Sequence, residues 1–342
     1  MPITHIRIAA RARLEAMLAA PATAEADAEI RATLLEANQR EIPPEELAGY
    51  ADALRAAAIP IDWSKIAAED AERLRSSVID TCGTGGDSCG TFNISTAAAI
   101  LAAACGIPIA KHGNRSATSR CGSADVLDHL GIPMQDAAHA AAALRDHNFA
   151  FLFAPAFHPA MARVAAIRRS LGVRTFFNLL GPLANPANAR RQVIGTYSPA
   201  AVSLLARTLA LLEAEHVLIV HGLPTATMPG LDEITLTGPT FVAEVRGDNV
   251  LEFTLTPEDF GLPTHTGADP YAGSDAAGNA RLLTAILHNQ LHGPPREVVL
   301  ANTAAALVVA DIAASWKEGV ALAAKAVDSG AAGRKLEQLS AS

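Results

Sequence analysis

The stretch from Val78 to Ala110 constrains the fold of this chain more than any other. Val78-Ile79 is predicted as a short strand, 95–105 as a helix closed by Gly106, and 107–110 as the next strand. A strand, a helix and a strand this close together form a βαβ unit, which implies a parallel sheet with a right-handed crossover.

The same alternation continues along the rest of the chain. It predicts a helix at 136–146, strands at 149–153, 192–197 and 216–220, a β-pair near a sheet edge at 241–245 and 250–255, and helices over most of 275–329. Before residue 77 no β-rich run occurs, and Pro44 marks a helix start within a helical region of 4 to about 75. We therefore predict an α/β protein: a small all-helical N-terminal domain (1–75), joined by helices near 160–180, and a large α/β domain (76–342) with a central, mostly parallel sheet flanked by helices.

Composition excludes several classes of protein. A net charge of -8 disfavours non-specific nucleic-acid or polybasic membrane binding. The N-terminus lacks a signal-peptide pattern, and the alanine-rich runs are too short to span a bilayer. The four cysteines have no CxxC spacing, which is typical of free thiols in a reduced compartment. We expect a cytoplasmic protein that binds neither nucleic acid nor membrane.

The glycine-rich loop "DTCGTGGDSCGTFNIST" (80–96) fits neither common nucleotide motif. Ser88 stands where the dinucleotide fingerprint needs its third glycine, and Thr91-Phe92 replaces the Lys-Ser/Thr of a P-loop. The loop still joins a strand to a helix, so it could bind an anion at the helix N-terminus. A tight turn with a helix cap is the alternative. Asp87 favours a hydroxyl-rich or metal-bearing ligand such as a ribose phosphate.

Two further segments would supply charge at the same sheet edge. "KHGNRSATSRCGSAD" (111–125) follows the next predicted strand and carries three cations among hydroxyl and amide groups. Asp232 and Glu233 are adjacent carboxylates, the type of ligand that Mg²⁺ uses together with phosphates. Alone, such a pair is more typical of a solvated surface.

Together these segments resemble the anthranilate phosphoribosyltransferase family. The resemblance runs from about residue 37 to the end and is carried by "GTGGD…GTFNIST", "KHGNRSATSRCGSADVL", "HPAMARVAAIRRSLGVRTFFNLLGPLANPA" and "GLDEITLTGPT". It implies transfer of the 5-phosphoribosyl group from 5-phospho-α-D-ribosyl 1-pyrophosphate (phosphoribosyl pyrophosphate) to the amine of anthranilate. It also implies Mg²⁺, two ions with bound substrate, and a homodimer that packs through the helical domain.

The resemblance also implies the site residues. Those for phosphoribosyl pyrophosphate are Gly83, Gly86, Asp87, Thr91, Asn93, Ile94, Ser95, Thr96, Lys111, His112, Gly113, Asn114, Arg115, Ser116, Ala117, Thr118, Ser119 and Ser123. Those for anthranilate are Gly83, His112, Asn114, His158, Arg168 and Pro182, and those for magnesium are Ser95, Asp232 and Glu233. Lys111 and Arg168 would stabilise charge, and no general base is nominated because an aromatic amine attacks without prior deprotonation.

The chain departs from the family pattern in two places, and two alternative functions stay open. The link 223–229 is longer than is usual, so the loop carrying Asp232 and Glu233 could close differently, and the first 36 residues match poorly. A pyrimidine nucleoside phosphorylase of the same fold would need no Asp-Glu magnesium pair. A paralogue that has lost anthranilate transfer would be expected to lose Asn114 and Arg168, both of which are present.

Overall fold

The computed structural model describes residues 3–85, 89–115, 121–225, 230–266 and 270–342. Six predicted site residues lie outside the described residues: Gly86, Asp87, Ser116, Ala117, Thr118 and Ser119. The end of the link after Thr225, up to Pro229, also lies outside them.

Eight strands of the described residues form one mixed sheet. They are β1 Ile79–Gly83, β2 Ile109–Gly113, β3 Met134–Gln135, β4 Phe149–Phe153, β5 Arg191–Gly195, β6 His216–Gly222, β7 Thr240–Arg246 and β8 Asn249–Leu255. The strand order is β3-β4-β2-β1-β5-β6-β7-β8. The pairs from β3 to β6 are parallel, while β7 and β8 are antiparallel at one edge. The predicted fold class, including the β-pair near an edge, is confirmed.

Helices cover both faces of the sheet and make up most of the N-terminal region. They are α1 Ile3–Ala19, α2 Ala24–Ala37, α3 Pro44–Ala56, α4 Ala68–Ser77, α5 Ile94–Ala104, α6 Ser123–His129, α7 Ala140–His147, α8 Ala154–Phe157, α9 Ala162–Leu171, α10 Phe177–Leu180, α11 Pro199–Leu211, α12 Ala276–Leu287, α13 Pro294–Val309, α14 Trp316–Asp328 and α15 Ala331–Ser340. Helix α3 begins at Pro44, as predicted, and α11 begins at Pro199 after a Ser198 cap.

Alternating side chains along the strands divide the core between the two faces. Val193 belongs to the buried cluster that contains α5 and α12 to α15, whereas its neighbour Ile194 belongs to the one that contains α1 to α3 and α11. Successive residues of a strand point to opposite faces, so neighbouring residues of β5 belong to different clusters. The strands β1 and β5 are neighbours whose following helices, α5 and α11, lie on opposite faces. The sheet therefore has a topological switch point between β1 and β5.

Several predicted element boundaries were wrong: the strand predicted at Val78-Ile79 runs from Ile79 to Gly83, and the one predicted at 192–197 runs from Arg191 to Gly195. The strand predicted at 107–110 begins at Ile109 and ends at Gly113, because β2 stays paired with β4 as far as Gly113 and Phe153. Lys111 and His112 are therefore buried inside the strand and do not lie in the turn after it. The helix predicted from Asp136 begins at Ala140, because the Asp136 carboxylate accepts hydrogen bonds from the amides of Ala138 and His139 and forms a separate turn.

Candidate active site at the carboxyl edge of the sheet

The predicted site residues gather where β1, β2 and β5 end. Gly83 is the last residue of β1 and is paired with Gly195, the last residue of β5. In open α/β sheets, ligands bind outside the carboxyl ends of the strands at a switch point. The candidate site therefore lies at the position that the topology favours.

The second half of the glycine loop is anchored to the segment before α12. Thr91 forms a β-bridge with Ala272, and the Phe92 amide donates to the Tyr271 carbonyl at 3.0 Å. Gly85 and Gly90 have φ values of +64° and +69°, a conformation that side chains rarely adopt. Their positive φ explains part of the glycine content of this loop.

The first turn of α5 has its polar groups engaged within the protein. The Asn93 side chain accepts a hydrogen bond from Asn279 at 3.0 Å and donates one to the Cys121 carbonyl at 3.3 Å. Ile94 and Thr96 are buried, which makes their side chains part of the core. The Ser95 amide donates to Glu233 Oε1 at 3.0 Å, so a carboxylate lies at the positive end of the helix.

The acidic segment, residues 231–234, carries Asp232 and Glu233 into the switch point. Leu231 and Gly222 exchange two backbone hydrogen bonds of 2.9 Å. These bonds join the two sides of the long link 223–229 immediately before the acidic pair. A Cβ on Gly195 would lie 1.6 Å from the Asp232 carbonyl oxygen, and one on Gly83 would lie 3.0 Å from Asp232 Oδ2. Only glycine at 195 allows this approach.

Ser95, Asp232 and Glu233, which are predicted to bind magnesium, are brought together. Glu233 binds the Ser95 amide, and Asp232 packs against the adjacent strand end. Their oxygen ligands are hard, and Mg²⁺ is typically held by one or two carboxylates plus phosphates, so the residues fit this ion. In the described part of the chain, no group of three or more His, Cys, Asp or Glu side chains could hold a metal alone.

Lys111 lies beneath this acidic region and is almost inaccessible, with 2% exposure. Its Nζ donates to the Thr81 carbonyl at 2.5 Å and to Ser95 Oγ at 3.4 Å. Burial lowers the pKa of Lys111, against the opposing effect of Asp80 and Glu233. Burial has the opposite effect on the carboxyl group of Asp80, whose pKa it raises. Asp80 Oδ1 accepts a hydrogen bond from the His112 amide at 3.1 Å. Lys111 is thus a buried amine that adjoins Ser95.

The turn after β2 begins with a close packing contact. A Cβ on Gly113 would lie 2.4 Å from Ser123 Oγ, and the Ser123 hydroxyl donates to the Asn114 carbonyl at 3.3 Å. Arg115 is exposed and forms ion pairs with Asp125 at 2.9 Å and Asp128 at 2.5 Å. A role of Arg115 in phosphate binding stays a prediction, since two carboxylates already pair with it.

A cavity of about 210 Å³ opens beside Asn114 on the other side of β2. Its lining residues, which define the Arg168 cavity, are Leu54, His112, Asn114, Ala154, Pro155, His158, Met161, Ala162, Ala165, Arg168, Phe177, Leu180, Gly181 and Ala184. Among these described residues Arg168 is the one arginine or lysine, and no carboxylate is present. The cavity therefore suits a small apolar ligand that carries one negative charge.

Arg168 is held against an aromatic ring. Its guanidinium carbon lies 5.0 Å from the centre of the Phe177 ring, and its Nη2 donates to Asn178 Oδ1 at 3.3 Å. Burial lowers the pKa of Arg168 to about 10, which leaves it charged at neutral pH. No carboxylate among the described residues pairs with it.

Two buried histidines complete this wall. The rings of His112 and His158 lie 5.1 Å apart, and burial lowers the pKa of both, that of His112 to about 3. His112 Nδ1 lies 3.3 Å from the Gly181 carbonyl, while its Nε2 has no partner among the described residues. Neither histidine is charged at neutral pH, so Arg168 carries the positive charge of the cavity.

Sequence reasoning identified four residues of this cavity and missed others. His112, Asn114, His158 and Arg168 line it, whereas Gly83 and Pro182 do not. Pro182 is buried, and its carbonyl accepts from Gln192 Nε2 at 2.8 Å, so its neighbour Gly181 provides the surface there. Phe177 could have been predicted as a lining residue of the cavity, because it lies in the same quoted segment as Arg168.

Comparison with known proteins identifies the class and then the family. Residues 75–333 match the model of the glycosyl transferase family, a/b domain. Anthranilate phosphoribosyltransferase from Anaeromyxobacter dehalogenans (strain 2CP-C) is 50% identical over 299 residues, which are 86% of this chain and 82% of the relative. The chain therefore belongs to the anthranilate phosphoribosyltransferase family.

Solved structures with the same name share the whole fold. The enzyme from Thermus thermophilus is 37% identical with a TM-score of 0.85, and the match covers 100% of this chain and 99% of that one. The enzyme from Saccharomyces cerevisiae in complex with PRPP and Mg is 30% identical with a TM-score of 0.84, covering 99% and 92%. These structural matches extend over the N-terminal helical region, whose first 36 residues showed little resemblance to the family in sequence.

The helices of the described residues were also compared with the requirements of a membrane span. None of them combines the length and the apolar character that crossing a bilayer requires. All four cysteines are among the described residues, and none of them forms a disulfide.

Proposed function

We propose that the protein transfers the 5-phosphoribosyl group of phosphoribosyl pyrophosphate to the amine of anthranilate, forming N-(5-phosphoribosyl)anthranilate and pyrophosphate. One observation carries the proposal: a single sheet edge brings a carboxylate pair at a helix N-terminus next to a cavity whose one cation, among the described residues, is the half-buried Arg168. The relatives support this transfer over the nucleoside phosphorylase alternative.

Anthranilate would occupy the Arg168 cavity. Its carboxylate would pair with Arg168, whose planar guanidinium offers two parallel donors, and its ring would lie among apolar side chains such as Phe177. The neutral imidazoles of His112 and His158 would accept hydrogen bonds from the amine without competing for the carboxylate. Asn114 lines this cavity and also belongs to the segment predicted to bind phosphoribosyl pyrophosphate, so it would contact both substrates.

Phosphoribosyl pyrophosphate would lie over the ends of β1 and β5. The predicted contacts in the glycine loop, the α5 turn and the segment after β2 are retained as proposals. When bound, Mg²⁺ would neutralise pyrophosphate charge, and Ser95, Asp232 and Glu233 are the residues that would hold it. Lys111 would add a fixed positive charge behind Ser95.

The chemistry asked of the protein is mainly positioning. Arg168 would hold anthranilate so that its amine faces the anomeric carbon, and the cavity walls would exclude water from the reacting atoms. Breakage of the bond to pyrophosphate develops positive charge on the ribose and negative charge on the leaving group, which the cations at this edge would stabilise. No residue is assigned as a general base.

The assembly and location follow the family resemblance. We propose a homodimer through the helical domain, residues 1–75 with the helices near 160–180, in a cytoplasmic enzyme that acts on small molecules. In this region Ile8 of α1 is 59% exposed and Leu35 of α2 is 43% exposed, so apolar side chains are available at its surface. The remaining residues, 76–342, would form the catalytic α/β domain.

A single assay tests the reaction. The protein is mixed with anthranilate, phosphoribosyl pyrophosphate and Mg²⁺, and the loss of anthranilate fluorescence is followed. We expect a loss that requires all three additions. If the folded protein leaves the fluorescence unchanged but cleaves thymidine or uridine with phosphate in the absence of magnesium, the phosphorylase alternative is correct.

A further inference from the structure

A buried asparagine from a distant helix holds the acidic segment. Asn302 lies on α13 and is 3% exposed. Its Oδ1 accepts a hydrogen bond from the Ile234 amide at 3.1 Å, and its Nδ2 donates to the Ile234 carbonyl at 3.0 Å. The side chain thus pairs with both backbone groups of one residue, as a residue of a neighbouring antiparallel strand would.

Packing alone does not explain an asparagine at this position. The residues around it on α13, including Leu300, Ala301 and Ala304, are apolar and buried. An asparagine in a helix interior is less favourable than an apolar residue, and burying its amide is costly unless the amide is hydrogen-bonded. The second Nδ2 hydrogen is also used, because Nδ2 donates to the Val298 carbonyl at 2.9 Å. Its polar groups are therefore committed to two backbone segments.

The bond to Ile234 acts directly on the acidic pair. The Ile234 amide belongs to the peptide group that follows Glu233, so Asn302 fixes the plane of that peptide. At the other end, Leu231 is fixed by its paired hydrogen bonds with Gly222. Asp232 and Glu233 are the two residues between these anchors, and Glu233 reaches Ser95 from this fixed backbone.

We propose that Asn302 is a positioning residue for Asp232 and Glu233. It sets the direction in which Asp232 faces the end of β1 and Glu233 faces the first turn of α5, and so where the two carboxylates would hold Mg²⁺. The role rests on the proposed function, since it is defined by magnesium-dependent turnover. Residues that orient metal ligands in this way typically change metal affinity or activity by about 10- to 100-fold when replaced.

The test compares two neighbouring positions of α13. Asn302→Leu has a similar size and removes every hydrogen bond to Ile234. Thr303→Val is the matched control, because Thr303 is also buried and its hydroxyl donates within the helix, to the Val299 carbonyl at 2.7 Å. For each variant we would measure the Mg²⁺ concentration at half-maximal rate, the KM for both substrates, and hydrogen exchange of peptides covering 231–236.

For Asn302→Leu we expect the Mg²⁺ requirement and the KM for phosphoribosyl pyrophosphate to rise by about tenfold or more. The KM for anthranilate should stay within about twofold, raised Mg²⁺ should restore part of the rate, and exchange at 231–236 should be faster. Thr303→Val should leave all four unchanged. An unchanged Mg²⁺ requirement, or equal changes in the two variants, would overturn the role.

Two features keep the test decisive. If Asn302→Leu does not fold, Asn302→Ser carries the same comparison, because its short hydroxyl cannot bridge both backbone groups of Ile234. Hydrogen exchange is read without substrates, so it tests the positioning even if the wild-type protein has no anthranilate transfer. Absence of wild-type turnover would contradict the proposed function, whereas unchanged exchange at 231–236 in the variant would contradict the role of Asn302.

Discussion

The acidic segment around Glu233 and the Arg168 cavity lie at the same sheet edge, but their polar groups are satisfied in different ways. Glu233 binds the Ser95 amide, and the neighbouring backbone is tied to Gly222 and Asn302. In the cavity, by contrast, Arg168 pairs with no carboxylate and several histidine nitrogens have no partner among the described residues.

This difference indicates two ways of preparing a site. In the Arg168 cavity, buried polar groups without partners gain a hydrogen bond when a ligand arrives, which favours recognition of its carboxylate and amine. In the acidic segment, the carboxylates are already engaged, so their contribution depends on being held at one position relative to α5. Activity should therefore be sensitive to loss of the side chains that line the Arg168 cavity. On the acidic side, it should be sensitive both to loss of the carboxylates and to loss of the residues that hold their backbone, such as Asn302.

The largest effect should come from neutralising the acidic pair. Asp232→Asn combined with Glu233→Gln retains size and removes both charges, and we expect magnesium-dependent turnover to fall by at least about a hundredfold. The rate is measured across a range of Mg²⁺ concentrations. Glu258→Gln with Asp259→Asn, an adjacent and exposed pair, is the control. Unchanged activity at low Mg²⁺ would remove the acidic segment from the site.

Removing the charge of the cavity should have the next largest effect. Arg168→Ala should raise the KM for anthranilate by between about ten- and a hundredfold, because a charge-assisted hydrogen bond is worth about 1.5–3 kcal/mol. Arg169→Ala, at the next and exposed position of α9, should leave this KM unchanged. An effect confined to the KM for phosphoribosyl pyrophosphate would contradict the division of the two regions.

Acid should destabilise the cavity through its buried histidines. The folded protein lowers the pKa of His112 from 6.5 to about 3, so the unfolded chain takes up the proton first as the pH falls. Stability from this group is complete above about pH 6.5 and is lost progressively down to about pH 3. The lowered pKa of His158 acts in the same direction.

We expect His112→Gln to reduce the loss of unfolding free energy between pH 7 and 5.5 by about 1 kcal/mol. Urea unfolding at the two pH values measures this difference. His129→Gln, at an exposed position, should behave as the wild type does. If His112→Gln shows the full wild-type loss, His112 is not buried in its neutral form.

The smallest effect should come from a weak link between two loops of the acidic side. Cys89 Sγ donates to the Gly230 carbonyl at 3.0 Å and so connects the glycine loop with the residue just before the acidic segment. A thiol is a weak donor, so Cys89→Ala should raise the KM for phosphoribosyl pyrophosphate by less than about fivefold. Cys89→Ser should restore it. A larger change in the KM for anthranilate would show that the two regions are coupled here.

Much of the fold could be predicted from local pattern. The strand at 149–153, the Pro44 and Pro199 helix starts and the β-pair at the sheet edge follow from periodicity and helix-start signals that act within a few residues. The ends of β2 could not be predicted this way. Pairing with β4 determines them, and Lys111 is polar enough to resemble the start of a loop.

The sequence by itself determined the helical N-terminal region, the βαβ order and the residue types of the site, because periodicity, capping and motif spacing are local properties. Only the tertiary structure decided which groups meet. Glu233 contacts Ser95, Asn302 binds Ile234, and the cavity around Arg168 is lined by several helices and a strand, so each of these features joins residues that are distant in sequence. Burial also changes their chemistry, because the pKa of His112 and of Arg168 depends on surroundings that only the folded chain assembles.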